Sequence, residues 1–300
     1  MSNKLPLKGI RVINFGWVWA GPVVGQTLGF LGAEVLKIES RARVDMTRNL
    51  PPFAEGIANP DRSLSNHACW AGNGSVTIDL KHAEGRALAL RLIAESDVVI
   101  ENFSARAMPG LGLGYEQLKA ANDRIIYLAM PAFGMRGPYR DYVGLGPSIE
   151  PITGMTALMG YSDDEPRVTS KALTDAIAGA TAASAVIQAL WRRAGTGEGA
   201  LIDLSQHETG VGYLAEAFIE RQLTGEEPQR TGNAHASMAP HGVYRCAGDD
   251  EWIALTARND LEWAALCGVL RLAAAPGYAS AGGRLAARAE LDASVEAATS

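Results

Sequence analysis

Up to Met130 the chain alternates short apolar runs with stretches of helical period. The runs at 10–15, 34–38, 76–80, 97–100 and 124–130 are brief and almost continuously apolar. That pattern predicts strands covered on both faces. Between them, 22–31, 83–95 and 115–121 carry apolar residues at helical spacing and predict helices. Strands separated by helices require crossover connections, and these are right-handed in nearly all proteins. The predicted class is therefore α/β, with a Rossmann-like doubly wound parallel sheet.

Beyond Pro131 the alternation stops. Glycine and proline crowd the stretch 134–154, which predicts loops. A long run of small residues at 172–191 predicts a helix, followed by a strand at 201–204 and a helix from His207 to about Thr224. The polar, turn-rich 225–239 predicts a linker. Runs at 242–245 and 252–256 flank Gly248-Asp249-Asp250 and predict an antiparallel hairpin, with a helix at 261–270 after it. The Ala/Gly-rich 273–300 gives no clear pattern, and no internal repeat is present. The predicted organisation is a large domain over 1–224, then a linker and a small α+β domain over 225–300.

The chain has 300 residues, 47% hydrophobic and 20% charged, which is ordinary globular composition. A net charge of −6 gives no footprint for nucleic acid. Cys69, Cys246 and Cys267 are scattered and form no CxxC pair. With no basic-then-apolar leader at the start, they set the expectation of a cytoplasmic protein. The run 172–191 has the length of a membrane span. It carries Asp175, has few large apolar residues and runs into Arg192-Arg193, so it predicts a buried helix and no membrane association.

Asp175 is the only charge in that small-residue run. A carboxylate at a helix start is stabilised as the anion by free N–H groups and by the helix dipole. Two readings follow from the residues: a helix N-cap, or a shielded carboxylate nucleophile. The segment from Asn14 to Pro22, rich in Gly and Trp, predicts a strand–loop–helix turn at the carboxyl edge of the sheet. Ligands of open α/β folds bind there, although Trp17 and Trp19 could equally pack as core. Gly110-Leu111-Gly112-Leu113-Gly114 follows a loop and lacks the dinucleotide spacing. No GxxxxGK[ST], HExxH or GxSxG occurs, and the five histidines have no metal-ligand spacing, so no metal is expected.

An ordered set of motifs resembles the class III, CaiB/BaiF-type CoA-transferase family. It runs from Ile13–Pro22 through Leu31-Gly32-Ala33-Glu34-Val35-Leu36-Lys37-Ile38-Glu39 and Asp45-Met46-Thr47-Arg48. Val76–Lys81, Glu84-Gly85-Arg86, Glu101-Asn102-Phe103, Leu111–Glu116, Phe133-Gly134 and Gly137-Pro138-Tyr139 continue it. Thr196–Gly199 and Ile202–Ser205 complete it, and the resemblance extends to about Asn259.

The resemblance implies a CoA-transferase moving CoA from an acyl-CoA donor to a small carboxylic acid, with coenzyme A as substrate. It places Asp175 at the family's catalytic aspartate, which carries CoA as an aspartyl thioester. It implies a CoA site in which Asn102 and Phe103 hold the adenosine end, with Val18, Ala20, Ile78 and Lys81 lining the same site. Trp19 would lie near the acyl group, where formyl-CoA transferases carry a Gln. The family usually has a Lys/Arg pair before the strand at 76–80, where this chain has Asn73-Gly74-Ser75. It also commonly has Arg-Pro after the Asn-Phe, where this chain has Ser104-Ala105. Phosphate binding is then expected either to be weaker or to rest on Lys81, Arg136 and Arg140. A racemase role is disfavoured, because Gly144-Leu145-Gly146-Pro147 lacks the His that would act as second base. Family chains usually continue past the small domain. The resemblance therefore sets the expectation of a homodimer or of a complementary C-terminal segment, with a catalytically impaired CoA-binding subunit as the alternative.

Overall fold

A computed structural model describes residues 5–161, 164–169, 172–273 and 275–300. The chain divides into two compact units, one spanning Met1–Thr156 and Val168–Glu226, the other Ala157–Arg167 and Glu227–Ser300. The stretch 157–167, placed in the large domain from the sequence, clusters with the second unit.

The first unit opens with β1 (Arg11–Asn14), α1 (Ala20–Phe30) and β2 (Glu34–Glu39). Short 3₁₀ turns between Met46 and Arg62 lead to α2 (Leu64–Cys69) and β3 (Gly74–Thr77). Then follow α3 (Ala83–Ala94), β4 (Val98–Glu101), α4 (Ala107–Gly110), α5 (Tyr115–Ala121) and β5 (Ile126–Ala129). Next come α6 (Gly146–Thr153), α7 (Met155–Leu158), α8 (Leu173–Thr196), β6 (Ala200–Asp203), α9 (Gln206–Gly212) and α10 (Ala215–Thr224). The six strands are all parallel, in the order β3-β2-β1-β4-β5-β6. This is the doubly wound α/β fold that the alternating pattern predicts, and its strand order reverses between β1 and β4.

Alternate residues along each strand supply two cores. Val12, Val98, Ile100, Ile126 and Leu128 pack under α1 and α8, while Ile13, Val99 and Tyr127 pack under α3 and α5. The small residues of α8 let it approach α1 closely. A Cβ on Gly179 would come within 2.6 Å of Val23 Cβ and 2.9 Å of the Ala20 carbonyl oxygen. Helix α8 is long and apolar enough to cross a membrane by length and composition alone, but Ala178, Ala182, Ala183 and Val186 are buried in the protein core.

Three expectations are corrected. The stretch 134–154 is not all loop, because it contains α6. Pro147 lies in the first turn of that helix, where no N–H is needed, and Gly154 closes it at φ +92°. The helix expected from His207 to Thr224 is two helices that break at Tyr213-Leu214, just after Gly210 and Gly212 weaken the first. The third strand begins earlier than expected, at Gly74, and Ile78–Leu80 lie beyond its carboxyl end.

The second unit is α+β. Its hairpin pairs β7 (His241–Arg245) with β8 (Trp252–Thr256) in antiparallel register. It is followed by α11 (Asp260–Leu270), α12 (Ala281–Ala286) and α13 (Arg288–Thr299). Leu291 and Val295 of α13 join Tyr244 and Trp263 in one buried cluster, so 273–300 is structured despite its plain composition. The Tyr244 hydroxyl donates to Asp292 Oδ1 at 2.7 Å. The Arg284 guanidinium is fully buried and donates to the carbonyls of Ala239 and Tyr278.

Candidate active site

The loop leaving β1 is held from three sides. Asn14 is fully buried. Its Oδ1 accepts from the Gly16 N–H at 2.8 Å, and its Nδ2 donates to the Gly21 carbonyl at 3.0 Å. Gly16 and Gly21 pass so closely that a Cβ on either would lie 2.7 Å from the other's Cα. From the end of β4, Asn102 grips both polar groups of Trp17: its Oδ1 accepts the N–H at 2.8 Å and its Nδ2 donates to the carbonyl at 3.0 Å.

Val18 then adopts φ +65°, which is strained for a β-branched residue. Its N–H donates to Asp45 Oδ1 at 3.3 Å, and Asp45 Oδ2 meets Lys37 Nζ at 2.9 Å. Lys37 is 2% exposed, and burial holds its pKa below the usual value despite Asp45. Burial alone would raise Glu39. Hydrogen bonds from Arg48 and Ser75, with the charges of Lys37 and Arg48, bring it down to about 2. This ionic knot braces the strained turn.

The loop lies at the carboxyl edge, where the strand order reverses, and two cavities open there. The first, about 280 Å³, is lined by Ile38, Ile78, Lys81 and Leu111 among others. The second, about 300 Å³, is lined by Val18, Asn102, Tyr142, Leu145, Gln206 and Asp175 among others. Trp17, Arg43, Phe103 and Ala107 wall both, so the two form one groove. Trp17 and Phe103 meet edge to face at 6.0 Å.

Asp175 stands at the far end of this groove. It is the third residue of α8, whose N-cap is Ala172, so the N-cap reading of Asp175 is wrong. Its carboxylate instead accepts N–H groups from Ala20 and Gly146, the first residues of α1 and α6. Three helix N-termini thus converge on one carboxylate, and each favours negative charge. The convergence needs a glycine, because a Cβ on residue 146 would lie 1.9 Å from Asp175 Oδ2. Asp175 is 6% exposed. Burial pushes its pKa up to about 6, with the two backbone donors opposing the rise. At neutral pH such a carboxylate is ionised, yet more basic than an ordinary one, and it faces a cavity. That arrangement suits a nucleophile.

A model of CoA-transferase family III matches residues 7–300. The chain belongs to CoA-transferase family III. Succinate–glutarate CoA-transferase of Agrobacterium fabrum is 36% identical over 91% of this chain and 68% of its own length. Succinyl-CoA–D-citramalate CoA-transferase of Chloroflexus aurantiacus is 36% identical over 96% of this chain and 71% of its own. Among solved structures, a CaiB/BaiF family protein from Brucella suis superposes with TM-score 0.91 at 37% identity. That likeness covers 99% of this chain and 78% of the other. The doubly wound sheet matches that of this solved relative. CoA thioesters are the substrates of such transferases, and among the described residues no cluster of His, Cys, Asp and Glu is arranged to hold a metal.

Of the residues expected from the resemblance, Val18, Ile78, Lys81, Asn102, Phe103 and Asp175 lie in the groove. Asn102 has both amide groups engaged with Trp17, so it shapes the wall. Ala20 is fully buried and reaches the site only through its N–H to Asp175. Trp19 lines neither cavity; it is the N-cap residue of α1, where its carbonyl accepts from Val23. Arg136 and Arg140 are exposed and line neither cavity.

Arg43 and Gln206 were missed. The carboxyl-edge rule points to Arg43, which lies just past β2. Gln206 sits at the start of α9 after β6, buried, with its Nε2 on the Met130 carbonyl at 2.8 Å. Glu101, at the end of β4, is 2% exposed. Burial and Asp203 push it up to about 7, against hydrogen bonds from the Phe103 N–H and the Tyr127 hydroxyl.

Proposed function

We propose that this chain transfers CoA from an acyl-CoA to a small carboxylic acid, with Asp175 carrying the CoA between them as a thioester. The observation that carries the reading is the Asp175 carboxylate: buried, favoured as the anion by two backbone N–H groups, and lining the groove.

In the first step an Asp175 oxygen attacks the thioester carbonyl and the C–S bond breaks. The products are a mixed anhydride and CoA thiolate. The thiolate then attacks the Asp175 carbonyl carbon, releasing the donor acid as its carboxylate and leaving the aspartyl-CoA thioester. The acceptor carboxylate repeats these two steps in reverse and restores Asp175. No net proton or electron moves, so the site needs neither a general base nor a redox group.

When the thiolate attacks, negative charge develops on an Asp175 oxygen. The Ala20 and Gly146 N–H groups, which favour the anion in the resting site, act as its oxyanion hole in this reading. The named relatives, a succinate–glutarate and a succinyl-CoA–D-citramalate transferase, support small acids as the acceptor class.

A cytoplasmic homodimer is part of this proposal. Three unpaired cysteines support the location, and the exposed Phe218, Ile219 and Leu223 of α10 support a protein partner. The test of the chemistry is mass spectrometry after mixing the protein with a panel of acyl-CoAs, then hydroxylamine trapping. A hydroxamate at Asp175, absent in Asp175→Ala, is expected. Transfer at equal rates by wild type and Asp175→Ala would sink the mechanism.

A further inference from the structure

If the thioester of an acyl-CoA reaches Asp175 in one cavity, its adenosine must lie in the other, near Ile78 and Lys81. The diphosphate between them then falls at the junction. Among the described residues, Arg43 is the only cationic side chain that lines both cavities. Its guanidinium carbon lies 4.9 Å from the centre of the Trp17 ring, a cation–π contact that holds the side chain against the groove wall. The wall itself is rigid, because Asn102 clamps Trp17 and Phe103 backs it.

Lys81 lines only the first cavity, and three other cations near the groove are paired with acids. Lys37 is bound to Asp45, Arg48 to Glu39 and Asp61, and Arg106 to Asp141. Among the described residues no acidic side chain forms an ion pair with Arg43, and the basic residues nominated from the sequence at 136 and 140 lie outside the groove.

We propose that Arg43 binds the diphosphate of CoA at the junction of the two cavities, supplying the cationic grip that the missing Lys/Arg pair would otherwise give. The proposal rests on the transferase reading above. A guanidinium is planar and carries a fork of N–H donors, which suits bidentate contact with phosphate oxygens.

The test compares wild type, Arg43→Gln and Arg43→Lys by calorimetric titration with CoA and with 3′-dephospho-CoA at low salt. The melting temperature of each variant is measured alongside, and should not change because Arg43 is exposed. Arg43→Gln should weaken both ligands by the same factor, about 10–100-fold, the range of one charge-assisted hydrogen-bonded contact. Arg43→Lys should recover part of that loss. The wild-type affinities should fall with added salt more steeply than those of Arg43→Gln.

Unchanged affinity in Arg43→Gln overturns the proposal. So does a loss confined to CoA, which would place the 3′-phosphate at Arg43. So does a variant altered only in KM for the acceptor acid, which would make Arg43 a carboxylate site. A wild-type protein that binds neither ligand sinks the transferase reading itself, and that result is distinct from the others.

Discussion

The Asp175 site sets burial against helix dipoles, and Asp175→Asn measures which one wins. Asn is nearly isosteric and keeps an oxygen for the N–H groups of Ala20 and Gly146, but it carries no charge. In the folded protein burial raises the carboxyl pKa from its ordinary 3.8 to about 6. A group raised on folding contributes its full stability below its unfolded value and loses it as pH climbs through the folded value. The loss here spans about pH 4 to pH 6.

A shift of about 2 units corresponds to about 3 kcal/mol at 1.36 kcal/mol per unit. Asparagine escapes this cost. The attraction of the carboxylate to the backbone N–H groups of Ala20 and Gly146 already opposes the rise and is contained in that net figure. The expected result is near-equal stability at pH 4 and an advantage of about 1–3 kcal/mol for Asp175→Asn at pH 8. The assay is urea unfolding of both proteins at one-unit pH steps, with the difference plotted against pH. A flat difference would show that the carboxyl is not perturbed by burial. A difference of opposite slope, with wild type gaining on the variant as pH rises, would show that the dipoles dominate and would falsify the reasoning.

Two further outcomes are expected. Gly146→Ala should lower kcat at least about 100-fold, because its Cβ would stand 1.9 Å from Asp175 Oδ2 and misplacement of a reacting group by about 1 Å has that effect. CoA affinity measured by titration should change far less. Arg193→Met should destabilise the protein by about 2–3 kcal/mol in urea unfolding, because it breaks the 2.6 Å pair with Asp97 and leaves that carboxylate partly buried. Transfer kinetics of the folded variant should match wild type, since Asp97 precedes β4 at the amino edge of the sheet, away from the groove.

Much of the first unit was legible because strands covered on both faces must be apolar at nearly every position, and the helices between them keep their own period. The hairpin was legible for a similar local reason. Helix α6 was not. Gly146, Pro147, Pro151 and Gly154 carry the composition of a loop, and only capping geometry shows that Pro147 lies in the first turn of a helix and Gly154 closes it. That miss bears on function, because Gly146 supplies a donor to Asp175. The tail at 273–300 was illegible because Leu291 and Val295 are isolated apolar residues among Ala, and their burial depends on partners at Tyr244 and Trp263.

Taken alone, the sequence determined the class of fold, the elements of the sheet and the identity of Asp175 as the carboxylate to examine. Those are properties of local period and of motifs in order. It did not determine that Asp175 is the third residue of its helix and takes its hydrogen bonds from Ala20 and Gly146, which lie far from it along the chain. Nor did it show that Asn102 holds Trp17, or that Arg43 stands where two cavities meet. These depend on the strand order, which places the ends of β1 and β4 side by side and gathers loops from distant segments at one edge. The tertiary structure decided them because the pKa of a carboxylate and the reach of a guanidinium are set by neighbours in space, and no local pattern encodes those neighbours.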